Sequence, residues 1–136
     1  MKKVIKCFAL FVIGGLLYAM IEIFARGYSH FSMFLLGGLC FLLIGFINKR
    51  GPALSITTQM MIGCVIITTL EFFGGCMLNL WLGLNVWDYS AEPYNLLGQI
   101  CAKNCFYWFW LSAVAIVVDD TIRCVFFGET PPEYFL

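Results

Sequence analysis

Charge is what this sequence has least of. Of its 136 residues, eight are Lys or Arg and eight are Asp or Glu, 12% in all, where a soluble domain carries about 25%. The formal net charge is zero, so the basic footprint of a nucleic-acid binder is missing and no nucleic acid is expected as a partner. There is one histidine, His30, and no C-x-x-C among the seven cysteines, so no metal site is expected. No G-x-x-x-x-G-K-[ST], H-E-x-x-H, G-x-S-x-G or Rossmann glycine run occurs. Nucleotide hydrolysis in this chain is therefore not expected, nor is a catalytic residue assigned or a cofactor implied.

What is present is apolar. The chain is 62% hydrophobic and 18% aromatic, with a mean hydropathy of +0.91. A core of this size cannot hide so much apolar surface from water. The solvent is therefore lipid, and the expected fold is all-α and integral to the cell membrane, one domain over residues 1–136. The start, "MKKVIKCFALFVIGGLLYAM", imitates a secretory signal, but no A-x-A site follows and the rest is equally oily. A retained first helix is the expectation. Most cysteines sit inside apolar runs, where a free thiol behaves as a small hydrophobe.

A spanning helix needs about 20 apolar residues. Four are read, over about 4–25, 32–47, 54–82 and 104–127. Lys2, Lys3 and Lys6, then Lys49 and Arg50 in the "NKRGP" turn, then Arg123 all fall on one side of such a four-helix bundle. That side is expected to be cytoplasmic, with both termini there and the protein multi-pass. Residues 84–103 are left on the other side. Trp87, Tyr89 and Tyr94 suit a membrane interface, and "NLLGQIC" is read as a polar segment or a short re-entrant helix. "LLGGLCF" at 35–41 resembles "LLGQICA" at 96–102, and each follows a Tyr-Ser and a helix with an embedded glutamate. A repeated unit of helix, polar loop and "LLG" helix is one reading; chance likeness of oily segments is the other.

The polar residues inside the spans carry the functional expectation. Glu22 and Arg26 are four apart and can pair along one helical face. Cys64, Thr68, Glu71, Gly75 and Asn79 share a face of the third helix. An acid at the bilayer centre costs about 2.5–3.5 kcal/mol, less near an interface. Glu22 and Glu71 are therefore expected to turn inward toward partners: Arg26 for Glu22, and Thr68, Asn79, Arg26 or His30 for Glu71. The pairs Gly14-Gly15, Gly37-Gly38 and Gly74-Gly75 would let three helices approach closely. "RGYSH" and "WDYSAEPYN" then become neighbouring turns, and Glu22, Arg26, Tyr28, His30, Glu71, Asp88, Asn95 and Gln99 would form one outward-facing pocket. The rival reading is structural: Glu22–Arg26 as a staple, His30 as a turn residue, Asp88 as a cap, Asn95 and Gln99 satisfying turn backbone. On the cytoplasmic side, Asp119 or Asp120 can pair with Arg123 at helical spacing. The tail "ETPPEYFL" is expected to be extended, since Pro131-Pro132 forbids helix.

The segments "GGLLYAMIEIFARGYSHFSMFLLGG", "TTLEFFGGCMLNLWLGLNVWDYS" and "PYNLLGQIC" resemble the signature stretches of a small bacterial family, the CmpB-type ABC-transporter permeases of type IV. The E-x-x-x-R-G-Y-S-H and W-D-Y-S pieces are specific, and the likeness runs over nearly the whole chain. The family often has a proline after "GQIC"; here Ala102-Lys103 stands instead. The resemblance implies a permease with a separate ATPase, and four helices imply a homo-oligomer. A permease-like or channel-like protein moving a small polar or cationic solute is the first functional expectation. A membrane scaffold or accessory subunit with a purely structural polar cluster is the second, and an enzyme acting on lipid headgroups is the third.

Overall fold

The computed structural model describes residues 1–47 and 53–136. The expected "NKRGP" turn, residues 48–52 with Lys49, Arg50, Gly51 and Pro52, lies outside the described residues. Among the described residues four α-helices are formed: α1 (Lys2–Arg26), α2 (Phe31–Gly45), α3 (Ile56–Gly75) and α4 (Ala102–Phe127). A π-helical turn, Cys76–Trp81, continues α3. The chain then runs through residues 82–101, which contain a two-stranded antiparallel hairpin, β1 (Asn95–Leu96) and β2 (Ile100–Cys101).

Local chemistry sets the helix ends. Gly27 closes α1 in the left-handed region at φ 82°, its N–H reaching the Ile23 carbonyl, as a C-terminal glycine does. The His30 ring caps α2 by accepting from the Ser32 N–H at 3.1 Å. Ser55 caps α3 by accepting from the Thr58 N–H at 3.2 Å. These ends lie within two residues of the sequence expectation. The "NLLGQIC" stretch does not. It is no re-entrant helix but a hairpin, turned by Leu97 at φ 54° and Gly98 at φ 72°. With it goes the repeat: residues 35–41 are helical and residues 96–101 are not.

α1, of 25 residues, and α3 with its continuation, 26 residues over Ile56–Trp81, are long and apolar enough to cross a membrane. α2 is apolar but only 15 residues long, about 22 Å of helix against a hydrocarbon layer of ~30 Å. α4 has the length, 26 residues, but carries Lys103, Asp119, Asp120 and Arg123 toward its ends. Burial is inverted relative to a soluble protein. Phe24 is 86% exposed and Trp81 79%, while Asp119 is 0% and Glu71 4% exposed. Large apolar side chains on the exterior, with charged groups buried among the apolar core, are what lipid as solvent selects.

The helices pack as two close pairs, α1 with α2 and α3 with α4, and α2 bridges the pairs. Between α1 and α2 the fit is reciprocal. A Cβ on Gly14 would overlap the Phe41 side chain, one on Gly37 would lie 2.5 Å from the Tyr18 Cβ, and one on Gly38 would lie 2.5 Å from the Phe11 carbonyl oxygen. The two expected Gly-Gly pairs thus interleave. The third does not seat a helix: a Cβ on Gly75 would lie 2.6 Å from Gln99 Oε1 and 2.9 Å from the Trp87 ring. The close point between α3 and α4 is Gly63, where a Cβ would stand 2.5 Å from Ser112 Oγ.

The bundle has two distinct ends. At the loop end, the segment 82–101 folds over the helices. At the tail end, the C-terminal stretch returns to α3, the Phe135 carbonyl accepting from the Ile56 N–H at 2.7 Å.

Candidate functional site

At the loop end, Asn79 in the π-helical turn organises the crossing segment. Its Oδ1 accepts from the Val86 N–H at 2.6 Å, and its Nδ2 donates to Gln99 Oε1 at 2.8 Å. The π turn is what brings this side chain beneath the segment, a frequent use of such bulges. The Trp87 indole N–H donates to the Gln99 carbonyl at 3.0 Å. Trp87 and Gln99 are both nearly fully buried. Asn95 Nδ2 donates to the Glu92 carbonyl at 2.8 Å, and its Oδ1 accepts from the Gly98 N–H at 3.0 Å. The Asp88 carboxylate accepts from the Ser90 hydroxyl and, at 2.9 Å, from the Ser90 N–H. Those bonds, side chain first, hold the Asp88 carboxyl below its ordinary range. Asn95, Gln99 and Asp88 therefore build the fold of the segment, and His30 builds the start of α2.

Beneath this cap lies Glu71. Its Oε1 accepts from the Tyr89 hydroxyl at 2.8 Å and its Oε2 from the Trp108 indole N–H at 2.6 Å. Burial, and next the Glu71 carboxyl, push the Tyr89 phenol far up, so it stays a donor. The partners of Glu71 are thus two aromatic donors, one from the segment and one from α4, in place of the expected Thr68, Asn79, Arg26 or His30. Thr68 faces Cys105 instead, Oγ1 to Sγ at 3.5 Å, and Cys64 Sγ donates to the Cys105 carbonyl at 3.1 Å. All seven cysteines are free thiols.

Glu22 and Arg26 do meet as expected, Oε2 to Nε at 2.6 Å. Arg26 also donates through Nη1 to the Val86 carbonyl at 2.9 Å, which ties α1 to the crossing segment. Its guanidinium lies 4.6 Å from the Tyr28 ring centroid, a cation–π distance. This group stands at the mouth of an open cleft of about 700 Å³ between α1 and α4. Tyr18, Glu22 and Arg26 line one wall; Lys103, Asn104, Tyr107 and Trp108 line the other, and Tyr89 closes the loop end. The eight residues expected in one pocket thus separate. Glu22 and Arg26 line the cleft, with Tyr28 stacked on Arg26. Glu71 sits behind it, reached through Tyr89 and Trp108. Asp88, Asn95, Gln99 and His30 hold backbone.

Tyr18, Lys103, Asn104 and Trp108 were not among the site residues expected from sequence. Trp108 lies in the run "FYWFW", where nothing separates one aromatic from the next. Lys103 was countable as a charge but not placeable before the start of α4 was known. Among the described residues, no group of three or more His, Cys, Asp and Glu side chains converges as metal ligands would.

The whole of this architecture falls inside one sequence family. Residues 2–134 match the family described as "Putative ABC-transporter type IV". The chain belongs to that family. Membership and the two long apolar helices make it a membrane protein related to ABC transporters. No curated protein and no solved structure matches the chain. Within the family's fold the loop-end cap, the Glu71 triad and the α1–α4 cleft are what this chain offers for chemistry.

At the tail end, Arg123 Nε lies 2.9 Å from Asp119 Oδ2, while Asp120 Oδ2 accepts from the Tyr134 hydroxyl at 2.7 Å. Glu129 reaches Lys6 and, at 3.6 Å, Arg123 Nη1. Asp119, Asp120 and Arg123 are 0–5% exposed, so this is a buried network pinning the tail, not an interfacial pair.

Proposed function

We propose that the chain is the membrane subunit of an ABC-type transporter, working as an oligomer with a separate ATPase, and that the α1–α4 cleft is where cargo is received. Four helices would cross the bilayer, α2 by the shortest path, with the loop end outside and both termini cytoplasmic, as the bias of Lys2, Lys3 and Lys6 favours. The observation that carries the reading is the cleft itself. It is open and has Glu22, Arg26 and Lys103 in its lining, and ionisable groups among membrane helices mark substrate pathways. Glu71 would serve behind it as a fixed acceptor that positions Trp108 in the cleft wall.

A second reading, an accessory subunit whose polar groups are structural, draws support from Glu71, both of whose oxygens are already engaged. The two separate in one experiment. The intact chain is isolated from native membranes into nanodiscs and ATP hydrolysis of the assembly is followed. The transport reading expects a co-isolated ATPase whose turnover falls at least fivefold with Glu22→Gln or Arg26→Gln while the assembly persists. An ATPase indifferent to both changes supports the accessory reading, and absence of any ATPase refutes the transporter assignment.

A further inference from the structure

The cleft does not end in the bundle. It runs on, toward the middle of the helices, into an apolar groove of about 90 Å³ between the same two helices. Tyr18, Ile21, Leu111 and Val114 line both spaces. The floor of the groove is α2, at Gly37, Cys40, Phe41 and Ile44. Of its α1 and α4 walls, Leu17, Ile21 and Val114 are 38%, 44% and 57% exposed. From Lys103 to Val118 the α4 wall extends about 22 Å at about 1.5 Å per residue, against ~15 Å for the hydrocarbon of one leaflet. A charged end and an apolar run thus follow one another along a single leaflet-deep trough that opens sideways to lipid.

We infer that this trough is a binding site for one phospholipid of the loop-end leaflet, an acyl chain in the groove and the phosphate beside Lys103. The inference rests on the reading of the cleft as the cargo site and names the cargo class. The lining selects an acyl chain, because methylene contact is what an apolar trough rewards. Charge selects a phosphate. The ionised residues lining the cleft are two cations and one acid. Arg26 is matched by Glu22 at 2.6 Å, whereas among the described residues Lys103 pairs with Glu92, loosely, at 3.8 Å with its side chain 55% exposed. An ammonium at the end of an apolar trough attracts an anionic headgroup by charge complementarity. The position also fits a path: a lipid entering sideways would meet Tyr18 and Trp108, the residues that separate the trough from Glu71.

The test uses the full chain, purified in detergent, exposed to mixed micelles of phosphatidylglycerol and diacylglycerol and read by native mass spectrometry. One phosphatidylglycerol retained per chain is expected. Val114→Trp, at a residue 57% exposed and in the trough wall, should cut retention at least fivefold. Val65→Trp, 65% exposed on α3 and outside the trough, should leave it unchanged. Lys103→Gln should lower the preference for phosphatidylglycerol over diacylglycerol at least threefold. Equal retention in wild type and Val114→Trp overturns the inference. So does equal loss in both tryptophan variants, or a lipid-free dimer that buries the α1–α4 face. If the ATPase responds to Glu22→Gln while no lipid is retained, the lipid inference falls and the transporter reading stands.

Discussion

The Glu71 triad makes the sharpest energetic claim, and Trp108→Phe tests it. The change keeps an aromatic ring in place and removes only the indole N–H that meets Glu71 Oε2 at 2.6 Å. Glu71 is 4% exposed, so the abandoned oxygen finds no water. An unmet buried acceptor costs roughly 1–3 kcal/mol. Two such bonds together, about 2–6 kcal/mol, are of the size needed to offset the ~2.5–3.5 kcal/mol of placing an acid in a membrane helix. Trp108→Phe should therefore destabilise the fold by about 1–3 kcal/mol, plus a share for the smaller ring. A double-mutant cycle separates the two parts. In a Glu71→Leu background the hydrogen-bond share has no acceptor, so the same substitution should cost at least ~1 kcal/mol less. Reversible unfolding in mixed micelles by circular dichroism gives the four free energies. A Trp108→Phe cost that is the same with and without Glu71 would refute the reasoning, because the indole would then act only as volume.

Asn79→Ala removes the acceptor for the Val86 N–H and the donor to Gln99. Local opening of residues 84–101 should become easier by about 1.4 kcal/mol, a tenfold faster amide exchange there, with α1 and α2 unchanged. Mass spectrometry after deuterium labelling reads this directly, and uniform acceleration along the chain would refute the local role. Gly38→Val would place a branched side chain whose Cβ lies 2.5 Å from the Phe11 backbone oxygen. Overpacking of this kind costs about 1–3 kcal/mol, and since backbone cannot rotate aside, the upper part of that range is expected in the same unfolding assay. Gly74→Val, whose Cβ would meet only Leu36 side-chain carbons at 3.6 Å and beyond, is the matched control and should be near neutral.

The helices were legible in the sequence because their ends are written in single residues. Gly27, His30, Ser55 and Gly128 stop or start helices by local bonds that need no tertiary information. The Glu22–Arg26 pair was legible for the same reason, being contained in one turn. The hairpin was not. Leu97 and Tyr94 occupy the left-handed region at φ 54° and 56°, and nothing in "YNLLGQIC" announces that a leucine will accept strain of about 1–3 kcal/mol. Only the bonds from Asn79, Asn95 and Trp87, drawn from both sides of the hairpin, make that conformation the favoured one. The partners of Glu71 escaped for a related reason. Its donors lie 18 and 37 residues away, and hydrophobic periodicity says which face is buried, not which of several aromatics will face an acid.

The gap between α1 and α4 follows from the physics of lipid. In water, two apolar helix faces close because burial removes them from solvent. In a bilayer that force is missing, and helices join only where small residues allow close packing or polar groups bond. α1 meets α2 through two interleaved glycine pairs. α3 meets α4 through Gly63 against Ser112, Cys64 against the Cys105 carbonyl, and Glu71 against Trp108. Between α1 and α4 the facing residues in the middle of the bundle are Leu17, Ile21, Leu111, Val114 and Val118, with neither a small seam nor a bond. Nothing there gains by closing, because a lipid chain satisfies such a surface as well as a helix does. The two walls are held at both ends: Arg26 bonds the Val86 carbonyl at the loop end, and Glu129, just past α4, reaches Lys6 of α1 and Arg123 of α4 at the tail end. Polar bonds thus hold the ends of the two walls, while the apolar faces between them stay apart.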